Sequence, residues 1–99
     1  MSQWFEYEPT SLVEAAKERA TEYPWLEAAL KQCTSAMMES ELYIYFIDPS
    51  EYRSRGGTKD HQQSITLFDT DHGCVEVDIV KPNIVAGIEL LDKVLGRKS

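Results

Sequence analysis

The chain has 99 residues and a mass of 11.3 kDa, which predicts one domain over residues 1–99, because two halves would each be too small to hold a core. Hydrophobic residues make up 42% and charged residues 27% of the chain, as in an ordinary globular protein and unlike a disordered one. Seventeen acidic residues against ten basic ones give a formal net charge of −7, which argues against direct binding to nucleic acid and against adhesion to anionic membranes.

The N-terminal third is predicted to be mainly helical. Residues 4–8 are aromatic and partly alternating, which is typical of a brief edge strand or of an arm packed on the core. Ser11 and Glu14 have the spacing of a capping box, which opens a helix. Pro24 interrupts the helical pattern but is well placed at the first position of a second helix. The sequence therefore predicts a helical hairpin, or one bent helix, over residues 11–38. The apolar stripe of the second helix would consist of Leu26, Leu30, Cys33 and Met37.

A strand and a long loop are predicted next. Residues 42–47 are aromatic or aliphatic without a polar position, which favours a central strand covered on both faces. Residues 49–63 contain a glycine pair and three bases, and they predict one long loop, a kind of segment that often carries function. Arg53 and Arg55 in this loop are candidates for contact with an anion or a protein partner.

A β-hairpin is predicted from Ile65 onward. Aliphatic residues alternate with polar ones on both sides of residues 70–73, whose Thr-Asp-His-Gly sequence suits a type I turn followed by a glycine in the left-handed conformation. The pairs expected from this turn are Leu67–Val77 and Ile65–Ile79. All the aliphatic side chains of the hairpin would then lie on one face of the sheet.

The last predicted element is a helix that begins near Pro82 and Asn83, with Asn83 as its N-cap. Its apolar stripe would consist of Ile84, Ile88, Leu91 and Leu95. Gly96 occupies the position expected for a C-terminal cap. The predicted fold is therefore a two-layer α+β domain of order ααβββα, with an N-terminal helical hairpin, a three-stranded antiparallel meander and a C-terminal helix.

The densest group of polar residues lies in the hairpin. Asp69, Asp71 and His72 are residue types that bind metal ions, so a metal-dependent or acid–base enzyme is one alternative. Asp and Gly are also ordinary turn residues, and no second His at a matching spacing completes a coordination sphere. Glu76 and Asp78 lie two residues apart on one strand, a spacing that acid–base pairs use and that any solvated strand face also shows. No nucleophile motif is present, so we assign no catalytic residue, no metal ligand and no cofactor.

The acidic charge is unevenly distributed along the chain. Residues 1–50 hold nine acidic and three basic residues, whereas residues 51–99 hold eight and seven. Large aromatic residues accompany the acidic half, and such residues are enriched in the hot spots of interfaces. Complementary charge also speeds association with a basic partner. The residues expected to contact a partner are Glu14, Glu18, Glu22, Glu27, Asp69, Asp71, Glu76, Asp78, Arg53 and Arg55.

These features favour a non-catalytic protein that binds and inhibits, or modulates, a larger protein. The partner would be basic or directed at nucleic acid, as the partners of immunity proteins and of phage anti-defence inhibitors are. A structural homodimer formed through a sheet edge is a further alternative.

The cysteines and the N-terminus bear on location. Cys33 and Cys74 lie 41 positions apart, without the spacing of a metal or redox motif, which indicates two buried thiols and leaves a disulfide open. The first fifteen residues contain three acidic residues and no apolar run, unlike a signal peptide. No stretch is apolar for long enough to span a membrane. We therefore expect a cytoplasmic protein.

Overall fold

The computed structural model of the chain describes residues 3–54, 63–81 and 83–96. Within these segments the chain forms six strands and four short α-helices. In chain order the elements are β1 (Phe5–Glu6), α1 (Thr10–Ala16), a 3-10 turn (Lys17–Arg19), α2 (Leu26–Lys31), β2 (Ser35–Ser40), β3 (Tyr43–Tyr45), α3 (Pro49–Ser54), β4 (Gln63–Asp69), β5 (Gly73–Val80), β6 (Ile84–Leu90) and α4 (Leu91–Gly96).

The strands form one antiparallel sheet with the order β1-β2-β3-β6-β5-β4. The last strand in the chain, β6, is therefore inserted between β3 and β5. The chain is an α+β domain with a six-stranded sheet, and the predicted three-stranded meander of order ααβββα is wrong. None of the helices in the described segments combines the length and apolarity needed to cross a membrane.

The predicted C-terminal helix is wrong over residues 84–90, which form β6. The spacing of Ile84 and Ile88 fits one face of a helix, but a strand that is buried on both faces has a near-continuous apolar sequence as well. Asn83 has a φ of 59°, and it closes the tight connection that pairs Val80 with Ile84. Asn adopts this left-handed conformation more readily than other non-glycine residues, so it ends one strand and starts the next.

The second half of the predicted N-terminal hairpin is also wrong. Helix α2 ends at Lys31, and Met37 lies in β2, where it pairs with Tyr45. The apolar stripe that suggested a longer helix is thus shared between a helix and a strand. At α1, the expected capping box does not form, because Ser11 donates its hydroxyl hydrogen to Asp71 Oδ2 at 3.1 Å.

The turn of the β4–β5 hairpin is formed as predicted, but its register differs by two residues. Asp69 pairs directly with Gly73, whose φ is 76°, so three residues form the loop. The observed pairs are Leu67–Val75 and Ile65–Val77. Because the shift is an even number of residues, the aliphatic side chains remain on one face. Of the predicted long loop, residues 49–54 form α3, and residues 55–62 lie outside the described segments.

The hydrophobic core lies between one face of the sheet and helices α1 and α2. Its fully buried side chains include Leu12, Leu26, Leu30, Ile65, Val75, Val77, Ile88 and Leu90. Full burial of one such side chain contributes about 1.5–3 kcal/mol to folding. Cys33 and Cys74 are both free thiols, and burial raises the pKa of Cys33 to about 12.

Candidate functional site

The side of the sheet opposite the core, here called the outer face, carries a group of acidic and aromatic residues. Side chains alternate between the two faces along a strand, and residues directly opposite on neighbouring strands share a face. Glu76 of β5 lies opposite Glu89 of β6, and Asp78 lies opposite Gly87. The carboxylates of Glu76, Asp78 and Glu89 thus occupy neighbouring positions, and we call them the acidic stripe.

The acidic stripe concentrates negative charge on a half-buried surface. Directly opposite residues have Cβ atoms about 4.5–5.5 Å apart, and residues two apart along a strand are separated by about 6.8 Å. None of the ion pairs among the described residues includes a member of the stripe. Burial raises the pKa of Glu76, and the charges of Asp78 and Glu89 raise it further. The carboxylates therefore repel one another, and a cation placed between them would be stabilised.

Two hydroxyl groups hold Asp78 in place. Tyr43 Oη donates to Asp78 Oδ2 at 2.8 Å, and Ser64 Oγ donates to Asp78 Oδ1 at 3.2 Å. Burial raises the pKa of Asp78, and the two hydrogen bonds offset part of that effect because they favour the ionised form. Burial and the neighbouring Asp78 raise the pKa of Tyr43 well above its usual range, so Tyr43 remains a donor at neutral pH.

Gly87 allows Tyr43 to reach Asp78. Tyr43 is on β3 and Asp78 on β5, so the tyrosine side chain must cross the intervening strand β6. A Cβ atom at position 87 would lie 2.6 Å from Tyr43 Oη and 2.5 Å from the carbonyl oxygen of Ile44. Real Cβ atoms essentially never come that close, so a side chain there would move the tyrosine off Asp78.

A row of tyrosine rings continues from the acidic stripe toward α3. The centroids of Tyr43 and Tyr45 are 4.9 Å apart, and those of Tyr45 and Tyr52 are 5.7 Å apart, both with steep interplanar angles. Edge-to-face contacts of this kind fix the rings relative to one another. Arg53 of α3 lies near this row, since burial raises the pKa of Tyr45 and the charge of Arg53 opposes that rise. Arg55 lies outside the described residues.

The four acidic residues predicted on the helices are arranged differently from the stripe. Lys17 pairs with Glu14 at 3.9 Å and with Glu27 at 3.4 Å. Arg19 pairs with Glu22 at 2.7 Å. Three of the four predicted carboxylates therefore contact a basic side chain within the molecule, with Lys17 shared between two of them, whereas Glu18 is exposed. The helical half keeps its surplus of six negative charges, but three of its carboxylates lie beside basic side chains.

The hairpin residues Asp69, Asp71 and His72 are not brought together. Asp69 is fully buried, and its Oδ2 accepts the backbone N–H of His72 at 3.1 Å. Asp71 instead accepts the hydroxyl hydrogen of Ser11 on α1. No group of three or more His, Cys, Asp and Glu residues in the described part of the chain is arranged to hold a metal ion. A fully buried Asp69 also has no surface through which to contact a partner.

Sequence reasoning placed Glu76 and Asp78 on one strand face but missed Glu89 and Tyr43. The apolar spacing of residues 84–95 predicts a helix, and a helix there separates Glu89 from the hairpin. The signal that could have located it is the β-branched sequence of β6 with Gly87 in its interior, which disfavours a helix. The strand of Tyr43 has no polar residue, and such a sequence predicts a strand covered on both faces rather than a tyrosine beside carboxylates.

Comparison with protein-family models, with curated proteins and with solved structures found no match to this chain. The chemistry of the outer face is therefore the basis on which a function can be argued. It offers three carboxylates, one of which belongs to the hydroxyl-supported Asp78, and a row of tyrosine rings, and together these suit the binding of positively charged groups.

Proposed function

We propose that this protein is a non-catalytic binding protein whose outer face docks on a basic surface of another protein and inhibits or modulates it. The observation that supports this proposal is the acidic stripe, in which Glu76, Asp78 and Glu89 adjoin one another without an ion-pair partner among the described residues. Lys or Arg side chains of a partner would supply the missing positive charge. The repulsion within the free protein would then become attraction in the complex.

The tyrosine row adds a second favourable feature to the outer face. Tyr43 and Tyr45 present half-buried rings beside the carboxylates. Tyrosine is enriched among the residues that dominate binding energy, and its ring face attracts Lys and Arg side chains. A basic side chain seated here would meet a carboxylate and a ring together.

The test compares two triple variants of equal charge. The sheet variant carries Glu76→Gln, Asp78→Asn and Glu89→Gln. This variant and the control described next each change the formal net charge from −7 to −4. The control, on the helical half, carries Glu14→Gln, Glu22→Gln and Glu27→Gln. Tagged protein first captures partners from a lysate of the source cells, and association with the purified partner is then measured at low and high salt.

We expect the sheet variant to bind at least tenfold more weakly and to associate more slowly. The helix variant should bind almost as tightly as the unsubstituted protein, since its carboxylates are already paired internally. High salt should slow association of the unsubstituted protein but affect the sheet variant little. Equal losses in both variants, or binding that ignores salt, would contradict the proposal.

A further inference from the structure

The outer edge of β4 presents backbone groups that form no strand ladder within the described segments. Strand β4 is the terminal strand of the sheet, and no strand of the described segments pairs with its outer side. The carbonyl oxygen of Thr66 points outward, because it accepts a hydrogen bond from Arg19 Nη1 at 2.8 Å. In an antiparallel strand the N–H and C=O of one residue point to the same side, and residues two apart repeat that direction. Ser64, Thr66 and Phe68 therefore direct their backbone groups away from β5.

This edge lies beside the acidic stripe. Thr66 pairs with Glu76 and Ser64 pairs with Asp78 across the β4–β5 ladder. A strand added to β4 would lie about 4.8 Å beyond it, and hence about 10 Å from β5. The exposed side chains of Ser64 and Thr66 are short, so the long stems of Lys or Arg on the added strand can pass over them and reach the carboxylates.

A cavity lined by one acidic residue, one basic residue and an exposed aromatic ring lies alongside β4. This cavity of about 260 Å³ lies between α1 and β4, and Glu18, Arg19 and Phe68 are among the residues that line it. The ring of Phe68 is 72% exposed, which makes it an apolar anchor at the end of the edge. Glu18 is exposed on the 3-10 turn that borders the cavity. Apolar and basic side chains of an added strand would thus find suitable neighbours here as well.

We infer that the partner's basic region binds as an extended segment, which pairs with the outer edge of β4 and extends Lys or Arg side chains from alternate positions to the acidic stripe. This inference rests on the proposed function of the stripe and adds the mode of binding. A second copy of this chain does not fit the same role, because Gln63–Asp69 carries no basic residue and β4-to-β4 pairing would bring no positive charge to the stripe.

Arg19 covers the edge in the free protein. Its guanidinium donates a hydrogen bond to the carbonyl oxygen of Thr66 and also forms an ion pair with Glu22 at 2.7 Å. Natural proteins protect edge strands in this manner against unwanted pairing. An incoming strand must displace Arg19 from Thr66, so Arg19→Ala should tighten binding of such a strand about two- to tenfold, the range expected for one competing hydrogen bond.

The experiment uses the full chain and a synthetic seven-residue peptide of alternating Lys and Val, acetylated and amidated at its ends. Hydrogen exchange followed by NMR should show new protection of the amides of Ser64, Thr66 and Phe68 when the peptide is added. The amides of Ile65 and Leu67 already face β5 and should change little. Arg19→Ala should strengthen the effect, whereas Lys31→Ala, which also removes one positive charge, should leave it unchanged.

The possible results separate the inference from the proposed function. A peptide of the same charge that is N-methylated at alternate residues should lose the edge protection, because it cannot form the strand ladder. If both peptides bind equally and perturb only Glu76, Asp78 and Glu89, the inference is overturned while the proposed function stands. If binding survives neutralisation of the stripe, the proposed function fails. If the same amides are protected without peptide and analytical ultracentrifugation shows a dimer, the edge pairs with a second copy and the inference is overturned. The inference is also overturned if the peptide saturates the protein without protecting the edge amides.

Discussion

Gly87 sets the geometry of the outer face at the scale of single residues. It lies in the centre of β6, where the hydroxyl group of Tyr43 passes over it to Asp78. Because position 87 has no side chain, the Tyr43 ring can lie across β6 and contact Asp78, which is two strands away from the tyrosine. Such a role is invisible in a pattern of hydrophobic and polar residues, because it depends on the close approach of two elements distant in sequence.

Gly87→Ala is expected to destabilise the protein by about 1–3 kcal/mol, as overpacking of a filled site does. The sign of the change in the free energy of unfolding distinguishes a strand from a helix, because a glycine-to-alanine substitution in the interior of a helix would stabilise the helix by about 1 kcal/mol. The free energy of unfolding in urea measures the difference, and NMR of the Tyr43 ring reports whether it leaves Asp78. A gain in stability would show that residues 84–90 are not packed as a strand beneath Tyr43.

At the scale of elements, the β4–β5 hairpin was accessible from the sequence because its determinants are local. The glycine at position 73 and the alternation on both sides of the turn specify two strands within a short segment. By contrast, β2 and β6 depend on pairing with strands far away in sequence, and their apolar spacing fits a helix equally well. The acidic stripe is predictable from the sequence only in part, since Glu76 and Asp78 belong to the hairpin and Glu89 belongs to β6.

Helix α4 is attached to the hairpin through Gly73 and Asp92. A side chain at position 73 would clash with Asp92 Oδ2, which also accepts the backbone N–H of Cys74 at 3.2 Å. Gly73 in addition has a φ of 76°, so Gly73→Ala should cost about 1–2 kcal/mol from the backbone and a further amount from the clash. Adding Asp92→Ala to Gly73→Ala should remove the cost of the clash but not the cost of the backbone conformation. Urea unfolding of both single variants and the double variant measures the difference. Strict additivity would show that α4 does not approach the turn.

At the scale of the whole molecule, the acidic charge divides into a paired part and an unpaired part. On the helical half, Lys17 and Arg19 each engage carboxylates, and such exposed pairs contribute little to stability. On the outer face, burial raises the pKa of Glu76 and of Asp78, and the neighbouring carboxylates raise that of Glu76 further. The composition of the sequence does not reveal this division, because it counts charges without their positions in the fold. Free charge on the sheet costs stability in the isolated protein and favours a basic partner.

This arrangement predicts that stability falls as the pH rises above the usual titration range of Asp and Glu, near pH 4, until Glu76 and Asp78 have lost their protons. Unfolded Asp and Glu side chains titrate near pH 4, whereas the folded protein holds protons on Glu76 and Asp78 to higher pH. The folded state therefore binds more protons over this interval, and deprotonation favours unfolding. The lowered pKa of the exposed Asp48, which is caused by its hydrogen bonds to Ser50, acts in the opposite direction.

Thermal unfolding measured at several pH values tests this expectation, with Glu76→Gln plus Asp78→Asn as the test variant. The double variant should have a flatter dependence of stability on pH, and it should be the more stable protein at pH 7. The matched control, Glu14→Gln plus Glu22→Gln, removes the same charge from paired positions and should retain the slope of the unsubstituted protein. If both pairs of substitutions flatten the profile equally, the effect comes from total charge, and the outer face holds no special repulsion for a basic partner to relieve.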